Sequence, residues 1–151
     1  MTQFCGAHRA PRAGIDPIDS PTAALTVIKL AMTLPLTAET IALVLDADHR
    51  GRSVVVVDGT DEPASVLEVT ERLVDSIATS GRPGALVLAS IRPGGGPEPA
   101  DADLWLESSE LAEAAGVELL EWFVIADDTG PTTAWCPRDL LAEPPRWPPG
   151  R

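Results

Sequence analysis

The sequence predicts an α/β fold, one domain in which a mixed central β-sheet is flanked by helices in three layers. Three observations carry that expectation. Two short apolar runs rich in branched residues, 40–46 (Thr-Ile-Ala-Leu-Val-Leu-Asp) and 53–58 (Ser-Val-Val-Val-Val-Asp), are separated by a turn short enough to imply an antiparallel hairpin. Downstream, stretches of helical periodicity alternate with apolar runs too short to be core helices, the order of strands with helices laid across them. The length of 151 residues suits a single hydrophobic core.

Taken in order, Ser20-Pro21 opens the first helix, a hydroxyl cap followed by a proline in the first turn, where its missing N–H costs nothing. Leu25, Ile28 and Met32 share one face of it, and Pro35 stops it. Residues 40–46 make the first strand, 47–52 a polar turn containing Gly51, and 53–58 the second strand. Pro63 marks the start of the next helix. Its apolar stripe is Val66, Val69, Leu73 and Ile77, its wet side Glu68, Glu71, Arg72 and Asp75, and its left-handed stop Gly81. Residues 85–91 are apolar on both faces, as a central strand requires. A Gly/Pro loop over 93–99 leads to a third helix near Ala102, with Leu104, Leu111 and Ala115 stacked along it and Gly116 at its end. Residues 117–126 read as a strand, and 133–136 as a short last one.

The domain therefore spans residues 20–136. Residues 1–19, with Pro11, Gly14 and Pro17 and few large apolar groups, read as a flexible leader. Residues 137–151 hold Pro144, Pro145, Pro148 and Pro149, which admit neither helix nor ladder, so they read as an untethered polyproline-like tail carrying Trp147. The net charge of −12 sets the chain against phosphate backbones, so no nucleic-acid partner is expected. No apolar run approaches the ~20 residues needed to span a bilayer. Residues 1–12 lack the apolar core of a signal peptide, so the expected location is the cytoplasm, with no membrane partner. One lysine, Lys29, beside abundant Ala, Gly, Pro and Arg matches the codon bias of a GC-rich bacterial genome.

Candidate chemistry is sparse. The two cysteines, Cys5 and Cys136, are expected as free thiols. Together with His8 and His49 they could make one zinc site, but only Cys5 and His8 are spaced as a ligand pair. Gly94-Gly95-Gly96 sits between strand and helix as phosphate loops do, yet the phosphate-binding signatures are missing and Glu98, Asp101 and Asp103 would repel phosphate. Carboxylates in a helix's first turn favour its dipole, and capping is the expected role of Asp101. Ser90 as a nucleophile has no base placed beside it by sequence. Trp105 and Trp122 are expected in the core.

The segment Ser90-Ile91-Arg92-Pro93-Gly94-Gly95-Gly96-Pro97-Glu98-Pro99-Ala100-Asp101-Ala102-Asp103 follows one strand and leads into a helix and another strand. From about Thr33 to Asp128 the chain resembles the RadC-like JAB/MPN domain, a JAMM-type metallohydrolase family of cytidine-deaminase-like architecture. Its motif there reads H-x-H-P-S-G-x-P-x-P-S-x-x-D. Pro93, Gly95, Pro97, Pro99 and Asp103 match, while Ser90 and Arg92 stand at the two histidine positions.

In the family, the resemblance implies, the histidines and the aspartate hold zinc and leave a fourth position for an activated water, whose proton an upstream glutamate takes. That glutamate falls at the start of the first strand, at Glu39, or at Ala38 if the register shifts by one residue. Asp103 is then the only retained ligand position. Arg92 stays protonated where a dication belongs, and the expectation is that it pairs with Asp103 in place of the metal. The resemblance thus implies a metal-free, catalytically inactive pseudoenzyme without cofactor, working as a binding or scaffold module for a protein partner or for itself. Its alternatives are a zinc-dependent peptidase or isopeptidase with altered ligands and a DNA-repair-associated role.

Overall fold

The computed structural model describes residues 10–127 and 130–148. The chain runs α1 (Pro21–Ala31), β1 (Glu39–Asp46), β2 (Gly51–Asp58), α2 (Ser65–Thr79), β3 (Gly84–Arg92), α3 (Asp101–Ala114), β4 (Glu118–Ala126), β5 (Thr133–Trp135) and a 3₁₀ turn, Pro137–Leu141. The five strands form one mixed sheet in the order β2-β1-β3-β4-β5. β1 is antiparallel to both β2 and β3, β3 and β4 are parallel, and β5 returns antiparallel along the end of β4. The predicted α/β class, the hairpin and the helix–strand alternation are all present, with boundaries moved by a residue or two. Among the described residues no helix is long and apolar enough to cross a membrane.

Each face of the sheet buries its own core. Odd-numbered residues of β1 and β3, Ile41, Leu43 and Leu45 with Val87, Ala89 and Ile91, meet Ala24 and Ile28 of α1. Even-numbered residues, Ala42 and Val44 with Leu86 and Leu88, meet α2 and α3 through Val66, Val74, Leu104 and Trp105. This follows from the pleat, which sends successive side chains to opposite faces. β3 is apolar at nearly every position because both faces are covered. Ser20 caps α1 as expected, its Oγ accepting the Ala23 N–H at 3.2 Å.

The buried side of α3 is not the predicted one. Asp101, Leu104, Trp105, Ser108 and Ala112 are its buried stripe, whereas Ala115 is exposed and Leu111 only half-buried. The 3.6-residue period is kept, but the phase is set by Trp105, whose large ring claims the space against β4.

Both flanks depart from expectation where they are described. Residues 10–19 lie along the hairpin: the Gly14 N–H donates to the Gly51 carbonyl at 3.0 Å, the Ile18 N–H to the His49 carbonyl at 2.7 Å, and the Ile18 side chain is buried with α1. The Pro-rich segment is docked as well. β5 pairs only with Val124, Ile125 and Ala126, so the first half of β4 has no strand on its outer side. The tail takes that place. Arg146 Nη1 donates to the Leu119 carbonyl at 3.1 Å, while its guanidinium stacks 4.3 Å over Trp105. Glu143 accepts from both Arg146 and Trp105 Nε1. Prolines offer no donors to a ladder, so side chains supply what the backbone cannot.

Trp147 crosses to the α1 face and is buried there. Its Nε1 donates at 3.0 Å to Glu121, a buried carboxylate that also accepts from Arg138 Nε at 2.9 and 3.1 Å. The cluster explains why a charge is tolerated inside: every oxygen of Glu121 has a donor, and the nearest cation is bonded to it. Cys136 lies beside the cluster. Burial, reinforced by the Glu121 charge, pushes its thiol up to about 12.

Two outcomes are expected. Trp147→Ala should lower the unfolding free energy by about 3–5 kcal/mol in urea titrations, the usual cost of truncating a buried aromatic; an unchanged midpoint would mean the tail is loose after all. The Cys136 thiol holds its proton well above the 9.0 of an ordinary thiol, so its alkylation, resolved from Cys5 by peptide mapping, should keep accelerating beyond pH 10 instead of levelling off. Between those two values the folded chain binds the extra proton, so stability should fall as pH rises through that window.

Candidate functional site

The end of β3 carries the candidate site. Ser90 and Arg92 are two residues apart on a strand and share the α2/α3 face. The Ser90 hydroxyl accepts a hydrogen bond from Trp122 Nε1 at 2.9 Å. Arg92 meets Asp101 through two parallel bonds, Nη1 to Oδ2 at 2.9 Å and Nη2 to Oδ1 at 2.7 Å. A third bond runs from Nη1 to the Gly96 carbonyl at 3.0 Å. Asp101 also accepts the Glu98 N–H at 2.8 Å. The Asp101 side chain is 0 % exposed and that of Arg92 13 %. The guanidinium lies 6.0 Å from the Trp122 ring centroid, a weak cation–π approach that also shields the pair from solvent.

The loop between β3 and α3 is shaped to allow this. Gly94 has φ +65°, a left-handed conformation that side chains resist, and its N–H donates at 2.6 Å to Asp127 at the end of β4. The Gly95 N–H turns back onto the Arg92 carbonyl, so closely that a Cβ on Gly95 would meet the Arg92 Cβ at 3.0 Å. The glycines of this segment therefore fold the loop around Arg92.

Two expectations are corrected here. Asp103 does not pair with Arg92; Asp101 does. Two steps along a helix turn about 200°, so the two carboxylates point to nearly opposite sides. Asp101 shares the buried stripe with Leu104 and Trp105, which leaves Asp103 exposed on the first turn of α3. Glu39 does not face the site either. It pairs in register with Ile91, not Ser90, and lies buried on the α1 face, where its carboxylate accepts the N–H and hydroxyl of Thr33, both at 2.9 Å. On the site's side of the sheet the neighbouring residue is Ala38, which lines a cavity of ≈ 320 Å³ together with Thr40, Thr60, Ser90, Arg92 and Glu98.

What this arrangement can do is narrow. Arg92 and Asp101 neutralise one another, and both Asp101 oxygens are taken up by bonds from Arg92 and the Glu98 N–H. Ser90 has a donor on its oxygen and no base bonded to it. His49 sits in the hairpin turn, bonded at 2.9 Å to Glu118. That turn lies beside Gly84, six residues up β3 from Ser90 and so about 20 Å away. Among the described residues there is no group of three or more His, Cys, Asp or Glu side chains able to hold a metal. Cys5 and His8, the one spaced ligand pair, lie outside the described residues. A zinc ion does not fit the donor set at the motif itself: a neutral hydroxyl, a fixed cation and a carboxylate already bonded to that cation. Comparison with models of known families, with curated proteins and with solved structures found no match to this chain.

Asp101 and Trp122 were not expected at the site. Asp101 could have been found from its spacing, since it stands three and four residues before Leu104 and Trp105. Trp122 could not, because its meeting with Ser90 depends on the parallel register of β3 and β4, including the shift between Leu86 and Val87.

A double-mutant cycle tests the pair. Arg92→Ala should cost about 3–5 kcal/mol of unfolding free energy by leaving a buried carboxylate without its cation, and Arg92→Met with Asp101→Leu should recover most of that loss. A double-variant loss equal to the sum of the Arg92→Met and Asp101→Leu losses would show that the two side chains act independently.

Proposed function

We propose that this chain is a metal-free, catalytically inactive domain of the RadC-like JAB type that works as a binding or scaffold module. One observation supports the reading above the others. At the second histidine position of the motif stands an arginine, and its guanidinium is locked by two bonds to a fully buried carboxylate on the following helix. A permanent cation held there has the charge sign of a metal ion but can neither bind water as a Lewis acid nor lower its pKa. The surroundings agree with the resemblance in arrangement: the motif leaves the end of a strand, turns through a Gly/Pro loop and enters a helix that leads to a parallel strand. They differ from it at Asp101, which holds the place the resemblance gives to Asp103, and at Ala38, which lines the cavity where the family's glutamate would be wanted.

In this reading the pair supports stability and shape. The module engages a protein surface, in the cytoplasm. Nucleic acid is a poor partner for a chain of net charge −12.

Elemental analysis of the purified full-length protein should find no stoichiometric zinc, and chelators should leave the thermal midpoint unmoved. One zinc per chain, lost on Asp101→Ala or on Asp103→Ala, would overturn the proposal and return the protein to the metallohydrolases.

A further inference from the structure

The cavity at the end of β3 is lined by hydroxyls whose protons do not balance. Thr40 and Ser90 are register partners on neighbouring strands and share the α2/α3 face. Thr60 follows β2 and meets Thr40, oxygen to oxygen, at 2.8 Å. All three border the cavity. One bond joins the Thr40 and Thr60 hydroxyls, so the proton of one of them is used and that of the other is not. The Ser90 oxygen takes the Trp122 N–H, while the Ser90 proton has no acceptor among the described residues. Arg92 spends both Nη1 protons and one on Nη2, which leaves its Nε–H and the other Nη2 proton without an acceptor there. Thr40 is 1 % exposed, and polar groups so deeply placed are ordinarily satisfied. This wall of the cavity is rich in donors and short of acceptors.

The rim has the opposite character. Asp61, Glu62 and Glu98 border the same cavity, are exposed, and have no cation bonded to them among the described residues. Arg92 is no counterweight, because Asp101 already neutralises it. The three acids do not make a metal site either: among the described residues no three His, Cys, Asp or Glu side chains lie close enough to hold one. Negative charge at the rim and unspent donors deeper in favour an organic molecule that is positive at one end and accepts hydrogen bonds at the other.

We propose that this cavity binds a primary ammonium group with a neutral carbonyl beside it, the chemistry of a peptide's amino terminus. The carbonyl oxygen accepts from the spare donors of Ser90, Arg92 and the Thr40–Thr60 pair, and the ammonium lies among Asp61, Glu62 and Glu98. A carboxylate in place of the carbonyl would meet the three acids as a like charge, so a free amino acid is the poorer ligand. The volume of ≈ 320 Å³ is at the lower end of ligand pockets, about 300–1,000 Å³, and suits a chain end, not a folded surface. The inference rests on the reading of the chain as a metal-free binding module and gives that module a ligand.

The test is an NMR titration of the isotope-labelled full chain with alanyl-alaninamide. The amide signals of Thr40, Thr60, Ser90 and Gly95 should shift together and saturate with a Kd on the order of 1 mM, the range open to so small a ligand. Acetylating the probe's amine removes its charge and keeps its carbonyls, and should weaken binding about tenfold or more. Butylamine, which keeps the charge and has no carbonyl, should be weakened as much. Glu98→Gln combined with Asp61→Asn should weaken alanyl-alaninamide several-fold with the thermal midpoint unmoved, since both side chains are exposed. Alaninamide separates two sources of the ligand: affinity equal to that of the dipeptide amide assigns the site to a small free amine, and weaker affinity to a peptide terminus. Absence of shifts at concentrations on the order of 10 mM, equal binding of the acetylated probe, or shifts centred away from the cavity would each sink the inference. Zinc measured on the same sample tells the two failures apart. Without zinc and without binding, only the ligand assignment falls; stoichiometric zinc removes the metal-free module as well.

Discussion

A carboxylate taken out of water has to bring its countercharge with it, and at the end of β3 this requirement decides what the surrounding residues can be. Asp101 is fully buried at the start of α3, where the wide ring of Trp105 fixes the rotation of the helix. Once there, it needs at least two donors and a cation, and Arg92 supplies both from the strand before the loop. The loop then has no freedom left. Gly95 must fold against the Arg92 stem, the Gly96 carbonyl must accept from the guanidinium, and Gly94 must take a left-handed turn to do it. Loss of either charge would leave the other stranded, so the pair is a constraint on the fold before it is a statement about function.

The same rule operates at the far side of the sheet. Glu121 sits inside β4 with Arg138, Trp147 and the Cys136 thiol around it, and the chain after β5 is drawn in to complete that shell. A segment rich in proline gains little from backbone pairing, yet it is ordered because its side chains finish two jobs that the strands leave undone. It covers the open half of the β4 edge, and it satisfies an acid that would otherwise be alone in the core. At the other edge, residues 14–18 meet the start of β2 through the Gly14 N–H and the Pro17–Arg50 bridge, and beyond it no strand lies on the outer side of β2 among the described residues.

The segment 90–103 combines a loop framework of prolines and glycines with closed side-chain bonds at the end of β3. Prolines and glycines hold the path of the loop, and those positions are met by Pro93, Gly95, Pro97 and Pro99. At the end of β3 stand a hydroxyl bonded to Trp122 and a guanidinium bonded to Asp101. The loop's shape depends on backbone conformation, whereas holding a metal ion would need three donors converging within a few tenths of an ångström. The cavity beside them keeps its threonine and serine rim without an acid on the site's face of β1, since the pleat sends Glu39 to the α1 side and leaves Ala38.

How far the sequence alone reached is clear from particular elements. Ser20-Pro21, the short polar turn after Asp46, the stripe through Val66, Val69 and Ile77, and the doubly apolar run 85–91 state their structures locally, because caps, turns and hydrophobic period act over a few residues. Strand parity even says that Ser90 and Arg92 share a face. Everything that joins distant segments was left to the tertiary structure. The choice of Asp101 over Asp103 rests on the rotation of α3 against β4. Trp122 reaches Ser90 only through the register of two parallel strands. The tail is held by Glu121, many residues upstream, and no local rule reports a proline-rich segment's affinity for a buried acid. Local sequence determines which residues form each element, since its energies are short-ranged; which charge meets which is decided when the elements are packed together, because only then is water excluded and an unpaired ion made costly.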